Sequence, residues 1–124
     1  MLKMTNSKIQ GNKGEKIAQN YLLKRDCEII KQNFHSRYGE IDIIALEAAD
    51  HPQEKCLLFI EVKYRRNEYF ATAADAITPQ KQERMRLTIE TYLQQYPTDL
   101  PLRIDLITIV GEEPYKIEWL KNIF

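Results

Sequence analysis

Residues 39–46 read Gly-Glu-Ile-Asp-Ile-Ile-Ala-Leu, and residues 57–64 read Leu-Leu-Phe-Ile-Glu-Val-Lys-Tyr. Both runs are rich in Ile, Leu, Val and Phe, with polar residues at alternate positions, which predicts two β-strands. The polar loop between them, residues 48–55, is short enough for the two strands to be neighbours in one sheet. The other predicted elements flank these two strands along the chain.

Charged residues stand within these strands where apolar residues are expected. Successive side chains of a strand point to opposite faces, so Glu61 and Lys63 leave one face of their strand roughly 7 Å apart. In the preceding strand, alternation predicts one face made of Glu40, Asp42, Ile44 and Leu46 and another made of Ile41, Ile43 and Ala45. Asp42 therefore lies among apolar neighbours, where an unpaired carboxylate is costly.

Pairing of the two strands would bring these charges together. Asp42 can then lie across from Glu61, with Lys63 nearby. Two carboxylates beside an ammonium suit a hard divalent cation such as Mg²⁺, which prefers carboxylate oxygens and keeps several waters. Lys63 could orient or activate a water, or offset charge that develops on an oxyanion. The alternatives are a Glu-x-Lys pair on a solvated strand face, and an Asp42 that lies at a sheet edge or pairs with an arginine.

Two predicted helices add further candidates. Glu15 lies on the buried side of the first helix, from which its carboxylate could reach the sheet as an outer metal ligand. The alternative is that Glu15 only complements the helix dipole. In the second helix Lys81 shares the core-facing side with Met85, in the first turn, where a cation opposes the dipole. That position is consistent with contact to an anion such as phosphate, with Gln80 beside it, and the alternative is a side chain that extends into solvent.

The order of predicted elements is helix, three strands, helix, and one or two strands. The second helix begins at Thr78-Pro79, since Thr is a good N-cap and Pro suits the first helical position, and it stops before Pro97. The other predicted ranges are 11–25 for the first helix and 28–35, 40–46, 56–64, 102–110 and 115–119 for the strands. This is an α/β or α+β domain with one mixed sheet flanked by helices. Asp105, within the fourth strand, is interpreted as structural, paired with an arginine.

Composition limits the class of protein. The chain has 124 residues, with 18 basic and 18 acidic side chains and a formal net charge of +0. That length predicts one domain, 1–124, with residues 1–8 frayed. No apolar run approaches the ~20 residues of a membrane span, and no signal peptide is apparent. Two cysteines form neither a disulfide framework nor a zinc ligand set, so we expect a cytoplasmic protein. The zero net charge counts against coating of nucleic acid by bulk attraction, although not against a local site.

A locally basic segment follows the third strand. Residues 63–86 contain six bases and three acids, a local charge of +3. The six bases are Lys63, Arg65, Arg66, Lys81, Arg84 and Arg86. Contacts from such side chains to phosphates would hold a nucleic-acid backbone without reading its sequence. The loop over residues 65–76 is long enough to be mobile and to clamp a substrate. The alternative is a solvated charged surface.

Three stretches carry a resemblance to a known family. They are Gly11-x-x-Gly14-Glu15-x-x-Ala18, Asn33-Phe34-His35-Ser36-Arg37-Tyr38-Gly39-Glu40-Ile41-Asp42-Ile43-Ile44-Ala45, and Phe59-Ile60-Glu61-Val62-Lys63-Tyr64-Arg65. In this order and spacing they resemble the YraN family, small bacterial proteins of the PD-(D/E)xK nuclease superfamily that are similar to archaeal Holliday junction resolvases. The resemblance extends to the end of the second helix, where Lys81 and Arg84 also fit.

The resemblance implies a fold and a set of site residues. The fold is a restriction-endonuclease-like αβββαβ core that holds Mg²⁺ or Mn²⁺ between the second and third strands. By position, Asp42 and Glu61 would be metal ligands, with the Val62 carbonyl as a third ligand. Lys63 would be the catalytic lysine, and Glu15 the helix acid that completes the site. No Pro precedes Asp42, as is usual for this family, and His35 stands where an Arg is frequent, which leaves a phosphate contact at His35 in doubt.

The resemblance also implies a function. We expect a metal-dependent endonuclease that hydrolyses phosphodiester bonds in DNA, branched or flapped DNA included. The residues expected to contact nucleic acid are Arg65, Arg66, Gln80, Lys81 and Arg84. The alternative is a non-catalytic nucleic-acid-binding or assembly protein on the same fold, since fold does not determine function. A third reading is a small metal-binding domain that acts on a nucleotide. Relatives that cut junctions are often dimers, so the resemblance implies a homodimer.

Overall fold

The computed structural model describes residues 6–48, 55–67 and 77–123, with side chains from residue 12 onward. Most of the predicted loop between the second and third strands, and most of the predicted clamp loop, lie outside the described residues. Among the described residues, no helix is long and apolar enough to cross a lipid bilayer.

The helices and strands follow the predicted order. Their bounds are α1 Asn6–Leu23, β1 Cys27–Ser36, β2 Gly39–Glu47, β3 Cys56–Arg65, α2 Pro79–Gln95, β4 Leu102–Val110 and β5 Lys116–Leu120. The Thr78 hydroxyl accepts a hydrogen bond from the Lys81 amide, so the predicted N-cap of α2 is confirmed. The prediction for α1 began at residue 11, five residues late. The turn that it missed has no apolar stripe and is followed by Gly11, a poor helix former.

The strands form one mixed sheet in the order β1-β2-β3-β4-β5. Neighbouring strands are antiparallel except β3 and β4, which run parallel. Parallel neighbours need a long crossover connection, and α2 lies in the connection between β3 and β4. The predicted α+β architecture, with a mixed sheet and two helices, is confirmed.

Two apolar clusters form the core, one with residues of each helix. The α1 cluster contains Ala18, Leu22, Cys27, Ile43, Ala45, Leu58, Ile60, Ile107 and Ile109. The α2 cluster contains Phe34, Ile41, Ile44, Leu57, Phe59, Met85, Ile89 and Tyr92. Alternation along β3 is therefore confirmed, because Leu58 and Ile60 pack with α1 whereas Leu57 and Phe59 pack with α2.

Alternation along β2 is broken beside Asp42. Ile41 packs in the α2 cluster and Ile43 in the α1 cluster, so the prediction that these two side chains share a face is wrong. Strict alternation assumes a regular ladder, but the paired residues of β2 and β3 end at Ile43 and Ile60. Asp42 is the next residue of β2, and it therefore lies where the sheet becomes irregular.

A close contact between α1 and β3 positions Glu15. A Cβ built on Gly14 would lie 2.8 Å from the Cβ of Tyr64, which is closer than real Cβ atoms approach other atoms. Only glycine permits this approach of the helix to the strand. Because Glu15 follows Gly14, its carboxylate lies over the same end of the sheet as Asp42 and Glu61.

Asp105 belongs to a structural network, as predicted. Its carboxylate is fully buried and accepts hydrogen bonds from the Arg103 guanidinium at 2.9 Å, the Trp119 indole at 2.8 Å and the backbone N–H of Asn122 at 2.9 Å. Arg103 also forms a bidentate ion pair with Glu47 at 3.0 and 3.1 Å. This network ties β4 to β5 and to the end of β2.

Candidate metal site

Asp42 lies where the regular pairing of β2 with β3 ends. Its Oδ2 accepts a hydrogen bond of 2.8 Å from the backbone N–H of Val62. A side chain thus bonds to β3 immediately beyond the last regular pair of residues. The residue is only 8% exposed. This hydrogen bond holds a buried carboxylate at the end of the sheet, beside Glu61.

A second acid of β2 joins Asp42 and the helix acid. Oxygen atoms of Glu15, Glu40 and Asp42 all lie within 4.8 Å of one another. Glu40 also pairs with the imidazole Nδ1 of His35 at 3.1 Å, on the exposed side of the cluster. Glu40 was not among the site residues predicted from the sequence, although the alternation of side chains in β2 had placed it on the same face as Asp42. An acid two residues before Asp42 was the signal that could have found it.

Glu61 lies beside this cluster, and among the described residues only one of its two carboxylate oxygens has a partner. Its Oε1 is 3.0 Å from the Lys81 ammonium. Within the described part of the chain, its Oε2 is buried and has no hydrogen-bond partner. A buried carboxylate oxygen without a donor is costly, and either a proton on the neighbouring Asp42 or a bound cation would relieve that cost.

Burial and mutual repulsion favour the protonated form of these acids. Desolvation, followed by the charge of Glu61, raises the pKa of the Asp42 carboxyl to about 8, although the Val62 N–H opposes the shift. Desolvation also raises the pKa of the Glu15 carboxyl, and the charges of Glu40 and Glu61 raise it further. Converging carboxylates with raised pKa values are typical of functional sites, because their repulsion is relieved only by a proton or a cation.

The predicted catalytic lysine does not contact the acids. Lys63 follows Glu61 by two residues on β3, opposite Thr108 of β4, and its side chain is exposed. Among the described residues, no ion pair joins Lys63 to a carboxylate; the cation that contacts Glu61 is Lys81. Lys81 had been predicted to contact nucleic acid. Val62, predicted to offer its carbonyl, contacts Asp42 through its N–H.

The other residues predicted to contact nucleic acid lie around this end of the sheet. Arg65 ends β3, and Arg66 follows it as an exposed residue. Gln80 and Arg84 are exposed in the first turns of α2. The local positive charge is smaller than the sequence count of +3 indicated, because Lys81 pairs with Glu61 and Arg86 pairs with Glu90, and both of these acids lie outside the counted range.

The donor set fits a hard divalent cation. The carboxylates of Glu15, Glu40 and Asp42 converge, and Glu61 lies beside Asp42 with one oxygen that is buried and has no partner among the described residues. Carboxylate oxygens are the protein ligands that Mg²⁺ and Mn²⁺ prefer. The acidic cluster is therefore compatible with a metal site.

Metal affinity should depend steeply on pH. A metal ligand must be deprotonated, so Asp42 has to lose its proton before it can bind a cation. Because its pKa is raised to about 8, the affinity for Mn²⁺ should rise about tenfold per pH unit up to that value and then level off. Isothermal titration calorimetry across the range from about pH 6 to about pH 9 measures this. An affinity that does not change over this range would contradict the raised pKa of Asp42.

Comparison with known proteins identifies the family of this chain. A model of the uncharacterised protein family UPF0102 matches residues 14–109. The chain belongs to UPF0102. The matched range includes the four acids, Lys63 and Lys81. The YraN family is UPF0102, so the family resemblance inferred from the sequence is confirmed.

Relatives in UPF0102 match nearly the whole chain. A UPF0102 protein of Neisseria gonorrhoeae strain NCCP11945 is 40% identical over 115 residues, which is 92% of this chain and 93% of the relative. A UPF0102 protein of Dichelobacter nodosus is 38% identical over 123 residues, 98% of this chain and 92% of the relative. One of Colwellia psychrerythraea is 39% identical over 129 residues, covering 98% and 93% of the two chains. The similarity therefore covers both helices and the strands between them.

Proposed function

We propose that this UPF0102 protein is a Mg²⁺- or Mn²⁺-dependent endonuclease of the PD-(D/E)xK superfamily that hydrolyses phosphodiester bonds in DNA, branched or flapped DNA included. The observation that supports it best is the convergence of Glu15, Glu40 and the buried Asp42 at the end of the β2–β3 ladder, beside a Glu61 whose Oε2 has no partner in the described part of the chain. The order of a helix acid, a strand acid and a Glu-x-Lys strand agrees with the resemblance to that superfamily.

Each residue of the site has a separate role in the proposed reaction. Asp42 and Glu61 would hold the cation, with the Val62 carbonyl as a further ligand, and Glu15 and Glu40 would complete the negative charge around it. The cation would supply the charge that neutralises the scissile phosphate and activates water. Lys63, exposed on the same strand as Glu61, is placed to approach a bound phosphate from the solvent side. An ammonium there would stabilise negative charge as it develops on the phosphate oxygens.

Binding of DNA would depend on a local footprint. Arg65 and Arg66 leave the end of β3, and Gln80 and Arg84 stand on the first turns of α2 at the same end of the sheet. These side chains would contact phosphates and so position the backbone over the acids. The formal net charge of +0 offers no general attraction, so the affinity for DNA should be weak without metal. A single domain of this size covers little of a branched substrate, which supports a homodimer as the working form.

A cleavage assay tests the proposal. Purified protein is incubated with linear, flapped and four-way-junction DNA in the presence of Mg²⁺ or Mn²⁺. Native protein should cut at least one of these substrates, and Asp42→Ala and Lys63→Ala should each lower the rate by at least about a hundredfold. Asp99→Ala and Lys24→Ala remove exposed charges of the same kinds and should leave the rate unchanged. Cleavage that persists in both site variants would refute the assignment of these residues.

A non-catalytic DNA-binding protein is the second candidate. The observation that favours it is the exposed position of Lys63, which forms no ion pair with the four acids in the described part of the chain. In that case the native protein would bind DNA in a metal-dependent manner and leave every substrate intact. The same assay, read by both gel shift and product formation, distinguishes the two functions.

A further inference from the structure

Lys81 occupies an unusual place for a cation. Its ammonium lies 3.0 Å from the Oε1 of Glu61, whose side chain is 11% exposed. Lys81 stands in the first turn of α2, three residues after the N-cap Thr78. The helix dipole disfavours a positive charge there, so helix formation alone does not explain a lysine at this position. The partner that offsets this cost is Glu61, which belongs to the candidate metal site.

The ammonium of Lys81 supplies part of the positive charge that would neutralise the acids. Oε1 of Glu61 faces Lys81, whereas Oε2 is buried without a partner among the described residues. A divalent cation bound between Asp42 and Glu61 would neutralise the Glu61 carboxylate in place of Lys81. Two cations beside one carboxylate repel each other strongly where water is partly excluded, so the metal and the Lys81–Glu61 pair compete.

We propose that Lys81 couples metal binding to DNA binding: its ammonium neutralises Glu61 in the metal-free protein, and a bound divalent cation displaces it from Glu61 so that it contacts a phosphate of the substrate. This inference rests on the proposed function. The side chain of Lys81 is 35% exposed, so the displaced ammonium can reach solvent and an approaching phosphate. The N-terminal turn of a helix, with its unpaired N–H groups, also attracts anions, and Lys81 lies in that turn.

The proposal has a thermodynamic consequence. If the metal releases a phosphate-binding group, then metal raises the affinity for DNA, and DNA must raise the affinity for metal by the same factor. Loss of Lys81 should therefore have two opposite effects. The affinity for metal alone should increase, because a competing cation is gone, while the gain in DNA affinity on adding metal should disappear.

Calorimetry and DNA binding test both effects. Mn²⁺ is titrated into native protein, Lys81→Met, Lys81→Arg and Arg86→Met above the pKa of Asp42, at about pH 9. Lys81→Met should bind Mn²⁺ about tenfold more tightly than native, whereas Lys81→Arg keeps the charge and should stay near the native affinity. Arg86→Met removes a cation of the same helix that pairs with Glu83 and Glu90, and should bind Mn²⁺ as native protein does.

The second measurement is the affinity for a labelled four-way junction, by fluorescence anisotropy with and without Mn²⁺. It uses the Lys63→Ala background so that the DNA is not consumed. The gain in affinity on adding Mn²⁺ should be lost when Lys81→Met is added to that background and kept when Lys81→Arg is added.

The outcomes separate this inference from the proposed function. Equal Mn²⁺ affinities for native protein and Lys81→Met would overturn the role of Lys81 and leave the metal site intact. An undiminished Mn²⁺-dependent gain in DNA affinity in Lys81→Met would do the same. A native protein that binds no Mn²⁺ would overturn the proposed function together with this inference. A variant that merely loses structure would bind Mn²⁺ more weakly, which is opposite to the expected change.

Discussion

Asp42→Asn should raise the free energy of unfolding of the metal-free protein, although the residue lies at the centre of the candidate site. Burial and the charge of Glu61 raise the pKa of Asp42 from its ordinary value of 3.8 to about 8 in the folded chain. The folded state therefore holds a proton that the unfolded state releases, and the native protein loses stability as pH rises from about 4 to about 8. Because asparagine does not ionise, the free energy of unfolding of the variant should not fall in this way as pH rises.

The expected gain is at least about 1 kcal/mol at pH values above neutrality, since one unit of pKa shift is worth about 1.4 kcal/mol. The amide oxygen of asparagine can still accept the hydrogen bond from the Val62 N–H, and its NH₂ can donate to the neighbouring carboxylates. Urea unfolding in the presence of a chelator, across the same pH range, measures the difference. The variant should also lose Mn²⁺ binding and cleavage, so stability and function should change in opposite directions.

Asp99→Asn is the matched control, because Asp99 is an exposed aspartate and its replacement should change stability by no more than about 0.5 kcal/mol. The difference in free energy of unfolding between native protein and Asp42→Asn should therefore change with pH. A difference that is the same at low and high pH would show that folding does not raise the pKa of Asp42.

Asp105→Ala should strongly destabilise the fold. It removes the acceptor of the Arg103 guanidinium, the Trp119 indole and the backbone N–H of Asn122, and leaves these partly buried donors without their partner. Removal of one partner of a buried ion pair costs about 3–5 kcal/mol. For a domain of this size we expect the melting temperature to fall by about 10–20 °C.

Asp105→Asn separates charge from hydrogen bonding. It keeps one acceptor oxygen and should cost less than Asp105→Ala, whereas Asp99→Ala, at an exposed position, should cost almost nothing. Mn²⁺ binding by Asp105→Ala below its melting temperature should remain, because no residue of the network belongs to the acidic cluster of Glu15, Glu40 and Asp42. A loss of less than about 1 kcal/mol in Asp105→Ala would mean that Glu47 alone satisfies Arg103.

The fold could be predicted from the sequence because its signals are local. The alternation of apolar residues in 56–64 and the Thr78-Pro79 start of α2 each depend on a few consecutive residues, and both are confirmed. The first turn of α1 has no such pattern, and the prediction there began late. The structural role of Asp105 was also accessible, because a carboxylate within an apolar strand requires a partner and Arg103 lies two residues away on the same strand.

The candidate site could be predicted only in part. The burial of Asp42 and its place beside Glu61 follow from strand pairing, which the sequence indicated. Alternation in β2 could have pointed to Glu40 as a neighbour of Asp42, but not to its contact with Glu15, which depends on how closely α1 approaches the sheet at Gly14. Lys63 and Lys81 were both candidates for contact with an anion, and spacing along the chain could not decide which of them pairs with Glu61.

The sequence by itself determined the order of the helices and strands, the one sheet and the acids that belong to its interior, because these depend on periodicities of two and 3.6 residues. Only the tertiary structure decided that β2 breaks its alternation at Asp42, that Asp42 bonds to the Val62 N–H and that Lys81 neutralises Glu61. These features depend on where a ladder ends and on how a helix 20 positions further along the chain is set against it. The packing of the whole domain sets the distances between these elements, and local sequence patterns do not predict them.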